Sequence, residues 1–429
     1  MLTRRSLLTS LVPALGAFAA TVQARPDDAE DDAEPKPQPL FERLFPVPTG
    51  TNGFEEIIRA GQRLGEARAE YPRAAEFTLD KKRAYLADPA CREALAMFRQ
   101  GITKPIRIPA DDPVGGNLIQ SFGLMRSLAR LLAVDIFVAF ADGRSDAAIR
   151  TVADGLKLSY ALKGVSITAG LVGGATDAIL LTTLAQLRES WNAKDCARLT
   201  RLANQWLDAP DPLSAALSAE RGLSLRFVRE WRKDVETMSG QLESHYELEK
   251  SEPETDRSRE AEAAAKTLRT DGAVRERVFG ELVGVINEHY DRTFALTKNP
   301  TGSLTLAPNP ATDANRHPIT LLLRETVVLS APAVVQQVVE DRLQLRLIAV
   351  HAGIRAYRWQ YDRLPKTLAD MKLPANLVTD PFTGKPLLYE PADTGTGYVL
   401  ASAGALMPGV DGNPDTRQPV TLPRAPRTP

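Results

Sequence analysis

The sequence has few of the residues that most enzymatic and metal sites use. Its 429 residues include two cysteines and four histidines. They form no HExxH pair, no G-x-S-x-G elbow and no other recognised zinc or nucleophile spacing. A phosphate loop at Gly384-Lys385-Pro386 is excluded, because no helix follows and proline lacks the backbone N–H that such a loop uses. The sequence therefore contains no motif that indicates a particular reaction, and we predict no catalytic residue from it.

The sequence also lacks an excess of charge of either sign. Its 53 basic and 54 acidic residues give a formal net charge of −1, with 43% apolar and 25% charged residues. This composition is typical of a globular protein, and a nearly neutral chain has no global field to attract nucleic acid. We therefore expect no nucleic-acid partner.

The two cysteines leave two possibilities open. Cys91 and Cys196 form one disulfide if their Cα atoms come close enough, or they are two buried free thiols. Spacing in the sequence does not decide between these alternatives.

Long apolar runs are scarce, and the one at the N terminus resembles a processing signal. Arg4 and Arg5 precede an uncharged, mostly apolar run over 6–20, and a small-x-small cleavage site ends at Ala24. We expect a signal peptide over 1–24, exported by the Sec or the twin-arginine route, with a retained anchor helix as the alternative. No later stretch reaches the roughly 18 apolar residues of a transmembrane helix, so we expect an exported mature chain, periplasmic or extracellular, without such a helix.

Composition changes along the chain predict its division. The segment after the signal is acidic and then proline-rich, which is typical of a disordered linker. A second segment dense in Pro, Asn, Thr and Gly predicts a long loop. The predicted units are a linker at 25–50, an α-helical domain at 51–300, a loop at 301–317, a long helix with a small β unit at 318–419, and a tail at 420–429.

Helical periodicity dominates the region before the second loop. A run with apolar residues on most faces predicts a buried helix that ends at Gly143, and Ser145 is the expected N-cap of the next helix. In that helix an apolar residue recurs every fourth position, at Ala148, Val152 and Leu156. A long helix, an Asp-Gly turn and an Ala-rich helix resemble a tetratricopeptide hairpin, although no 34-residue period is present.

The last part of the chain predicts one long helix and then short strands. The helix is expected from near Pro318 to just before Pro365, and "LLYE" and "GYVLAS" are strand candidates bounded by Pro and Gly. The predicted fold class is therefore mainly α. It consists of many helices in tetratricopeptide-like hairpins, followed by a long helix and a small C-terminal antiparallel β-sheet.

Two groups of polar residues are candidate sites. Asp411, Asn413 and Asp415 alternate in the Gly-rich loop "GVDGNPDT", where their oxygens can wrap a hard cation such as Ca²⁺, although the distal Glu of an EF-hand is missing. The alternative is an ordinary Asx-rich turn. Calcium is the only cofactor that the sequence suggests.

The second group is acidic, with one histidine. Glu281, Glu288 and His289 lie on one predicted helix, and Glu220 is a further acid. They are the candidates for a metal-dependent or acid/base site, and a polar helix surface is the alternative.

The C-terminal sequence resembles a known family. "LQLRLIAVHAGIRAYRWQYDRLPKTLADM" followed by "DPFTGKPLLYEPADTGTGYVLASAG" is similar to the C-terminal part of type II secretion major pseudopilins, over about 75 residues. That family has a long helix, a corner, an Asp-Pro-(Trp/Phe)-Gly-x-Pro turn, a small sheet and a calcium loop. The matching positions are Tyr357, Leu364, Pro365, Leu368, Asp380, Pro381, Phe382, Gly384, Pro386, Tyr389, Tyr398 and Ser402, with the calcium loop at 409–415.

One departure limits what the resemblance implies. The helix upstream carries Glu340, Asp341, Arg342 and Arg346, and it has no prepilin-peptidase site and could not lie in lipid. This chain is therefore not expected to polymerise as a pilin. It is also similar to exported bacterial proteins with helical N-terminal regions, common in planctomycete-like bacteria, which supply a shape and no activity.

Two functions follow as hypotheses. The first is an exported envelope protein with a binding or scaffolding role, which contacts an envelope protein partner through helical hairpins and the pseudopilin-like unit. The alternative is an envelope hydrolase or a metal-dependent enzyme of unrecognised type.

Overall fold

The structure is a computed structural model. It describes residues 51–71, 78–108, 116–236, 238–240, 242, 256–298, 313–327, 331–392, 397–407, 416–417 and 419–422. The expected signal peptide, the linker, most of the 301–317 loop and most of the tail lie outside these residues. The described part is about 75% helical with a small antiparallel sheet near the C terminus, which confirms the predicted mainly α class.

Thirteen α-helices lie in the described ranges. They are α1 (Gly53–Gly65), α2 (Leu79–Ala87), α3 (Pro89–Ile102), α4 (Gly116–Ala141), α5 (Ser145–Lys163), α6 (Ile167–Gln186), α7 (Ala193–Asp208), α8 (Leu213–Lys233), α9 (Asp256–Thr270), α10 (Gly272–Lys298), α11 (Pro318–Val327), α12 (Ala331–Tyr361) and α13 (Ala375–Val378). Two 3-10 turns lie at Arg188–Ser190 and Leu368–Met371, and further helical residues lie at 235–236, 238–240 and 242.

The predicted helical hairpin is present, with one detail corrected. Helices α4 and α5 pack together across a short turn in which Gly143 has φ +73°. Glycine suits this left-handed conformation because it has no Cβ. Ser145 is not the N-cap as expected but the first helical residue, and Arg144 holds the cap position without a side-chain hydrogen bond. The turn is already closed by the Arg144 N–H, which donates to the Ala139 carbonyl at 2.7 Å.

The described residues form two hydrophobic clusters in the interior, and α12 contributes to both. The first gathers α1 to α7, and the second gathers α8 to α11 and the sheet. Helix α12 gives Ile348 and Ala352 to the first cluster and Leu347 and Ile354 to the second. A helix with apolar residues on both sides can fill two cores at once, because neighbouring positions face different directions. The predicted domain boundaries remain a prediction.

The prediction of a single helix from near Pro318 to just before Pro365 is wrong. The structure has two helices, Pro318–Val327 and Ala331–Tyr361. Pro332 is the second residue of α12, where its missing N–H costs no helical hydrogen bond. The apolar periodicity runs through both helices, so it did not mark where one ends.

The C-terminal strands form a small sheet. Strands β1 (Leu388–Pro391), β2 (Tyr398–Ser402) and β5 (Val420–Thr421) lie in the order β1-β2-β5, and β3 (Leu406–Met407) pairs with β4 (Thr416–Arg417). All pairs are antiparallel. Both predicted strands are therefore present.

One described helix is long and apolar enough to cross a membrane, namely α6, Ile167–Gln186. Of its most apolar stretch, 61% is buried inside the protein. It also carries Asp177, whose carboxylate lies 2.6 Å from the Lys163 ammonium. These contacts are those of a central core helix.

Candidate functional site

The turn that begins at Asp380 is organised by a buried carboxylate. One Asp380 oxygen accepts hydrogen bonds from the Phe382 N–H at 2.9 Å and the Ser402 hydroxyl at 3.0 Å. The other accepts from the Ala403 N–H at 2.8 Å. The side chain, 1% exposed, thus ties the turn to the end of β2. The turn lies at the Asp-Pro-Phe residues where the resemblance implied one, and Lys385 is exposed.

The sheet lies on α12 through one of its faces. The Tyr389 and Tyr398 rings are 5.8 Å apart, and the Tyr389 hydroxyl donates to the Pro365 carbonyl at 2.8 Å. Because Tyr389 is opposite Leu400 and Tyr398 is opposite Pro391, the two tyrosines are diagonal neighbours, as aromatic residues on one sheet face often are.

A buried histidine anchors that face to the helix. The Tyr398 hydroxyl is hydrogen-bonded to His351 Nδ1, and the His351 ring lies 5.6 Å from the Trp191 ring. Burial lowers the pKa of His351 to about 3, with Arg188 and Arg355 acting in the same direction. Burial also raises the pKa of the Tyr398 hydroxyl. The pair is therefore neutral at ordinary pH and acts as a hydrogen-bonded joint.

The C-terminal unit also carries several exposed apolar side chains. Among the described residues, five large hydrophobic side chains are exposed, and four belong to the end of α12 or to the sheet: Trp359, Tyr361, Leu388 and Val399. The register of β1 and β2 places Leu388 and Val399 on the sheet face opposite the two tyrosines, where the exposed Glu390 is paired with Val399. We call these four residues the apolar surface. Val399, at 56%, is the most exposed.

Beneath this region, a buried charge cluster joins three helices. The Lys163 ammonium on α5 lies 2.6 Å from Asp177 on α6 and 2.8 Å from Asp341 on α12. The Gln337 amide donates to Asp341 at 2.8 Å. Burial raises the pKa of Asp341, whereas the two carboxylates raise that of Lys163. A small cavity of about 50 Å³ adjoins this cluster and is also lined by Tyr160.

Close helix packing makes this cluster possible. A Cβ on Gly174 would lie 2.8 Å from an Asp341 oxygen, and a Cβ on Gly173 would lie 2.7 Å from the Ser159 carbonyl oxygen. The glycine pair therefore lets α5 and α12 approach α6. The sequence analysis missed this cluster. The available signal was an isolated aspartate and two adjacent glycines in an otherwise apolar helix.

Each of the predicted acidic residues has a structural partner. Glu281 accepts hydrogen bonds from the His317 N–H at 2.8 Å and the Thr320 hydroxyl at 2.7 Å, so it holds the start of α11. Glu288 forms an ion pair with Arg316 at 2.7 Å. These contacts organise the junction of α10 and α11.

The other two members of the group, Glu220 and His289, also have local contacts. Glu220 is buried in α8 and accepts a hydrogen bond from the Ile167 N–H at 2.9 Å, at the start of α6. His289 makes an edge contact with the Tyr290 ring at 5.3 Å. None of these four residues lines the small cavity beside Lys163.

The predicted calcium loop is not described. Asp411, Asn413 and Asp415 lie outside the described residues, so the site stays a prediction. Within the described ranges, no group of three or more His, Cys, Asp or Glu side chains is arranged to hold a metal ion.

Cys91 and Cys196 are buried free thiols. Burial raises the pKa of both, to about 11 for Cys196. Of the two alternatives left open by the sequence, a disulfide or two buried thiols, the structure has the buried thiols.

Comparison with known proteins found no relative of this chain. The chain matches no family model, and no curated protein or solved structure is significantly similar to it.

Proposed function

We propose that this protein is an exported envelope protein that binds a protein partner through the apolar surface of its C-terminal unit. One observation carries the proposal: four of the five exposed large hydrophobic side chains in the described part lie on this unit. Exposed large apolar side chains concentrated in one structural unit are typical of interaction sites. The helical hairpins, which we propose to be tetratricopeptide-like, serve as the scaffold that holds the unit.

Charge and rigidity support the same function. Arg355 lies against the Trp359 ring at 5.2 Å and donates to Glu189 at 2.7 Å, which holds the base of the apolar surface. Arginine and tryptophan are among the residues that contribute most to protein interfaces. A preorganised surface loses little conformational entropy on binding, which favours affinity.

The expected location and partner come from the sequence. The signal-like N terminus and the resemblance to pseudopilins support export and a partner in the cell envelope. Calcium at Asp411, Asn413 and Asp415 remains part of this proposal, with a stabilising role for the C-terminal unit. Calorimetric titration of Ca²⁺ into the wild type and an Asp411→Asn variant tests it, and equal heats would overturn the site.

The alternative of an envelope hydrolase has less support. The acids that it would use already hold helix starts or an ion pair, as Glu281, Glu288 and Glu220 do. A general acid or base needs a position within reach of a substrate.

The test is cross-linked affinity purification from the native envelope fraction with three chains: wild type, Val399→Glu and Val283→Glu. Val283 on α10 is the matched control, since it is the fifth exposed apolar side chain, at 39%. We expect one dominant partner with the wild type and Val283→Glu, and its loss with Val399→Glu. Recovery of the wild-type chain alone, or equal recovery of the partner with both variants, would overturn the proposal.

A further inference from the structure

The small cavity beside Lys163 has aromatic side chains at its more exposed end. Its volume is about 50 Å³, and α5, α6, α7 and α12 contribute to its walls. A water molecule needs only about 10–15 Å³ of such space, so a group of a few non-hydrogen atoms fits. Tyr160 and Trp206 are half-buried, with rings 5.5 Å apart, and the Tyr160 hydroxyl donates to the Pro210 carbonyl at 2.7 Å. The aromatic pair is therefore held in place at that end.

The lining carries more negative than positive charge. Five charged side chains are among the described residues that line the cavity: Lys163, Arg342, Asp177, Asp211 and Asp341. The Lys163 ammonium is already shared, at 2.6 Å from Asp177 and 2.8 Å from Asp341. Arg342 donates to the Leu207 carbonyl at 2.6 Å. Two cations thus accompany three carboxylates, and one ammonium serves both of the buried ones.

Asp177 has an oxygen left for a further donor. Its Oδ2 accepts from Lys163, but its Oδ1 accepts no hydrogen bond from any group in the described part, although the residue is only 8% exposed. Buried acceptors in proteins are usually satisfied. Burial raises the pKa of Asp341, and repulsion by Asp177 adds to this against the effect of Lys163. Both observations indicate that a single ammonium does not fully compensate the two carboxylates.

We propose that this cavity binds a primary alkylammonium group, with the ammonium at Asp177 Oδ1 and the alkyl part beside Tyr160 and Trp206. The added cation balances the charges of the lining, and its N–H groups supply the donor that Asp177 lacks. The aromatic rings favour an organic cation over a strongly hydrated metal ion. Lys163 keeps both of its ion pairs in this arrangement. The proposal is independent of the docking function, because no residue of the apolar surface lines this cavity.

The test uses n-propylammonium, with 1-propanol as its neutral counterpart, and isothermal titration calorimetry on the intact chain. The titration is made at about pH 8, where an alkylamine is still protonated. We expect propylammonium to bind about tenfold or more tightly than propanol, since a charged donor makes the stronger hydrogen bond. Equal affinities, or no binding of propylammonium, would overturn the proposal.

Asp177→Asn removes the charge and keeps the shape of the side chain. It leaves Lys163 and Asp341 as a one-to-one ion pair, so we expect this variant to fold, which circular dichroism checks. The propylammonium affinity should fall to that of propanol. Asp146→Asn is the matched control, because it removes one negative charge from a side chain that is 44% exposed and lies outside the cavity. It should leave both affinities unchanged, and undiminished binding by Asp177→Asn would contradict the assigned contact.

A measurement that retains Asp177 locates the ligand independently of any folding defect in that variant. Trp206 is one of four tryptophans, so the difference between the wild type and Trp206→Phe isolates its fluorescence. Propylammonium should change the fluorescence of the wild type. Trp206→Phe keeps an aromatic ring and should bind the ligand without that change. The same change in both chains would place the ligand elsewhere and overturn the site.

Two sources can supply a primary alkylammonium group, a small free amine or the lysine side chain of a peptide. Nα-acetyl-lysine methylamide, titrated in the same way, distinguishes them. Tighter binding of this compound than of propylammonium supports a peptide lysine as the ligand, and weaker binding supports a free amine.

Discussion

The Lys163 ammonium on α5 lies 2.8 Å from the Asp341 carboxylate on α12, inside the protein. The same ammonium lies 2.6 Å from Asp177 on α6. One cation therefore holds together two helices of the first half of the chain and the helix that carries the C-terminal unit. Such buried ion clusters fix an arrangement more than they add stability, but their disruption is costly.

We expect Lys163→Met to lower the free energy of unfolding by about 3–5 kcal/mol, because it leaves two buried carboxylates without their cation. Lys194→Met is the matched control. The Lys194 side chain is 66% exposed and pairs with Asp146 at 3.4 Å. That pair should be worth only about 0–1 kcal/mol. Urea unfolding of both variants checks the difference, and equal losses would contradict the central role of Lys163.

Gly174→Ala should destabilise the protein by about 1–3 kcal/mol, because the added methyl group meets a packed neighbour. That neighbour is the Asp341 carboxylate, 2.8 Å from the new Cβ. Gly222→Ala on α8 is the control, for which we expect a change in stability of the opposite sign. Nothing lies within 4 Å of its Cβ. It should stabilise by about 0.4–1 kcal/mol, since the unfolded chain loses freedom. Thermal unfolding measures both, and a stabilising Gly174→Ala would refute the close approach.

Asp380→Ala should release the C-terminal sheet from its turn. The change removes the acceptor of three hydrogen bonds, from Phe382, Ser402 and Ala403. Each buried donor left unsatisfied costs about 1–3 kcal/mol. Limited proteolysis is the measurement, with faster cleavage within 380–422 as the expected result.

Asp370→Ala serves as the comparison for that experiment. Asp370 accepts from the Lys366 and Thr367 N–H groups but lies at the exposed surface. Its loss should change cleavage much less, because water can satisfy the freed donors. Similar cleavage in both variants would show that the Asp380 network does not hold the sheet.

The stability of the protein should fall in acid through His351. The pKa of His351 is about 3 in the folded protein, against an ordinary value of 6.5, so the unfolded chain binds the proton first as pH falls. The contribution of neutral His351 to the free energy of unfolding is complete above pH 6.5 and is lost as the pH falls from 6.5 to 3. The slope from this one group is at most about 1.4 kcal/mol per pH unit.

Urea unfolding from pH 7 to pH 4 measures this slope. His351→Phe should show a shallower slope than the wild type, because the titrating group is gone. Tyr398→Phe removes only the hydroxyl and keeps the ring that buries the histidine. It should lower stability at every pH and retain the wild-type slope. A wild-type slope in His351→Phe would assign the acid sensitivity to other groups.

Local patterns predicted the elements whose residues are close in sequence. The end of α4 near Gly143, the β1 and β2 strands and the Asp380 turn all depend on neighbours within a few positions. The apolar periodicity did not predict the boundary between α11 and α12, because the same apolar pattern continues past the start of α12 near Pro332.

Contacts between segments that are distant in the sequence could not be predicted from local patterns. Lys163 and Asp177 are fourteen positions apart, and Asp341 joins them only because α12 packs against α5 and α6. For the same reason, Glu281 could not be recognised as the residue that holds the start of α11, since its partners His317 and Thr320 belong to another helix. The calcium and partner predictions await the experiments above.

Helix α12 also determines how the chain can be divided. Because it supplies Ile348 to one cluster and Leu347 to the other, a truncation at residue 344 would remove a wall from both. We expect the two halves to melt in a single cooperative transition in calorimetry, and neither to fold when expressed alone. We therefore do not expect the C-terminal unit to be a detachable module, and its proposed binding role is best tested by point substitutions in the intact chain.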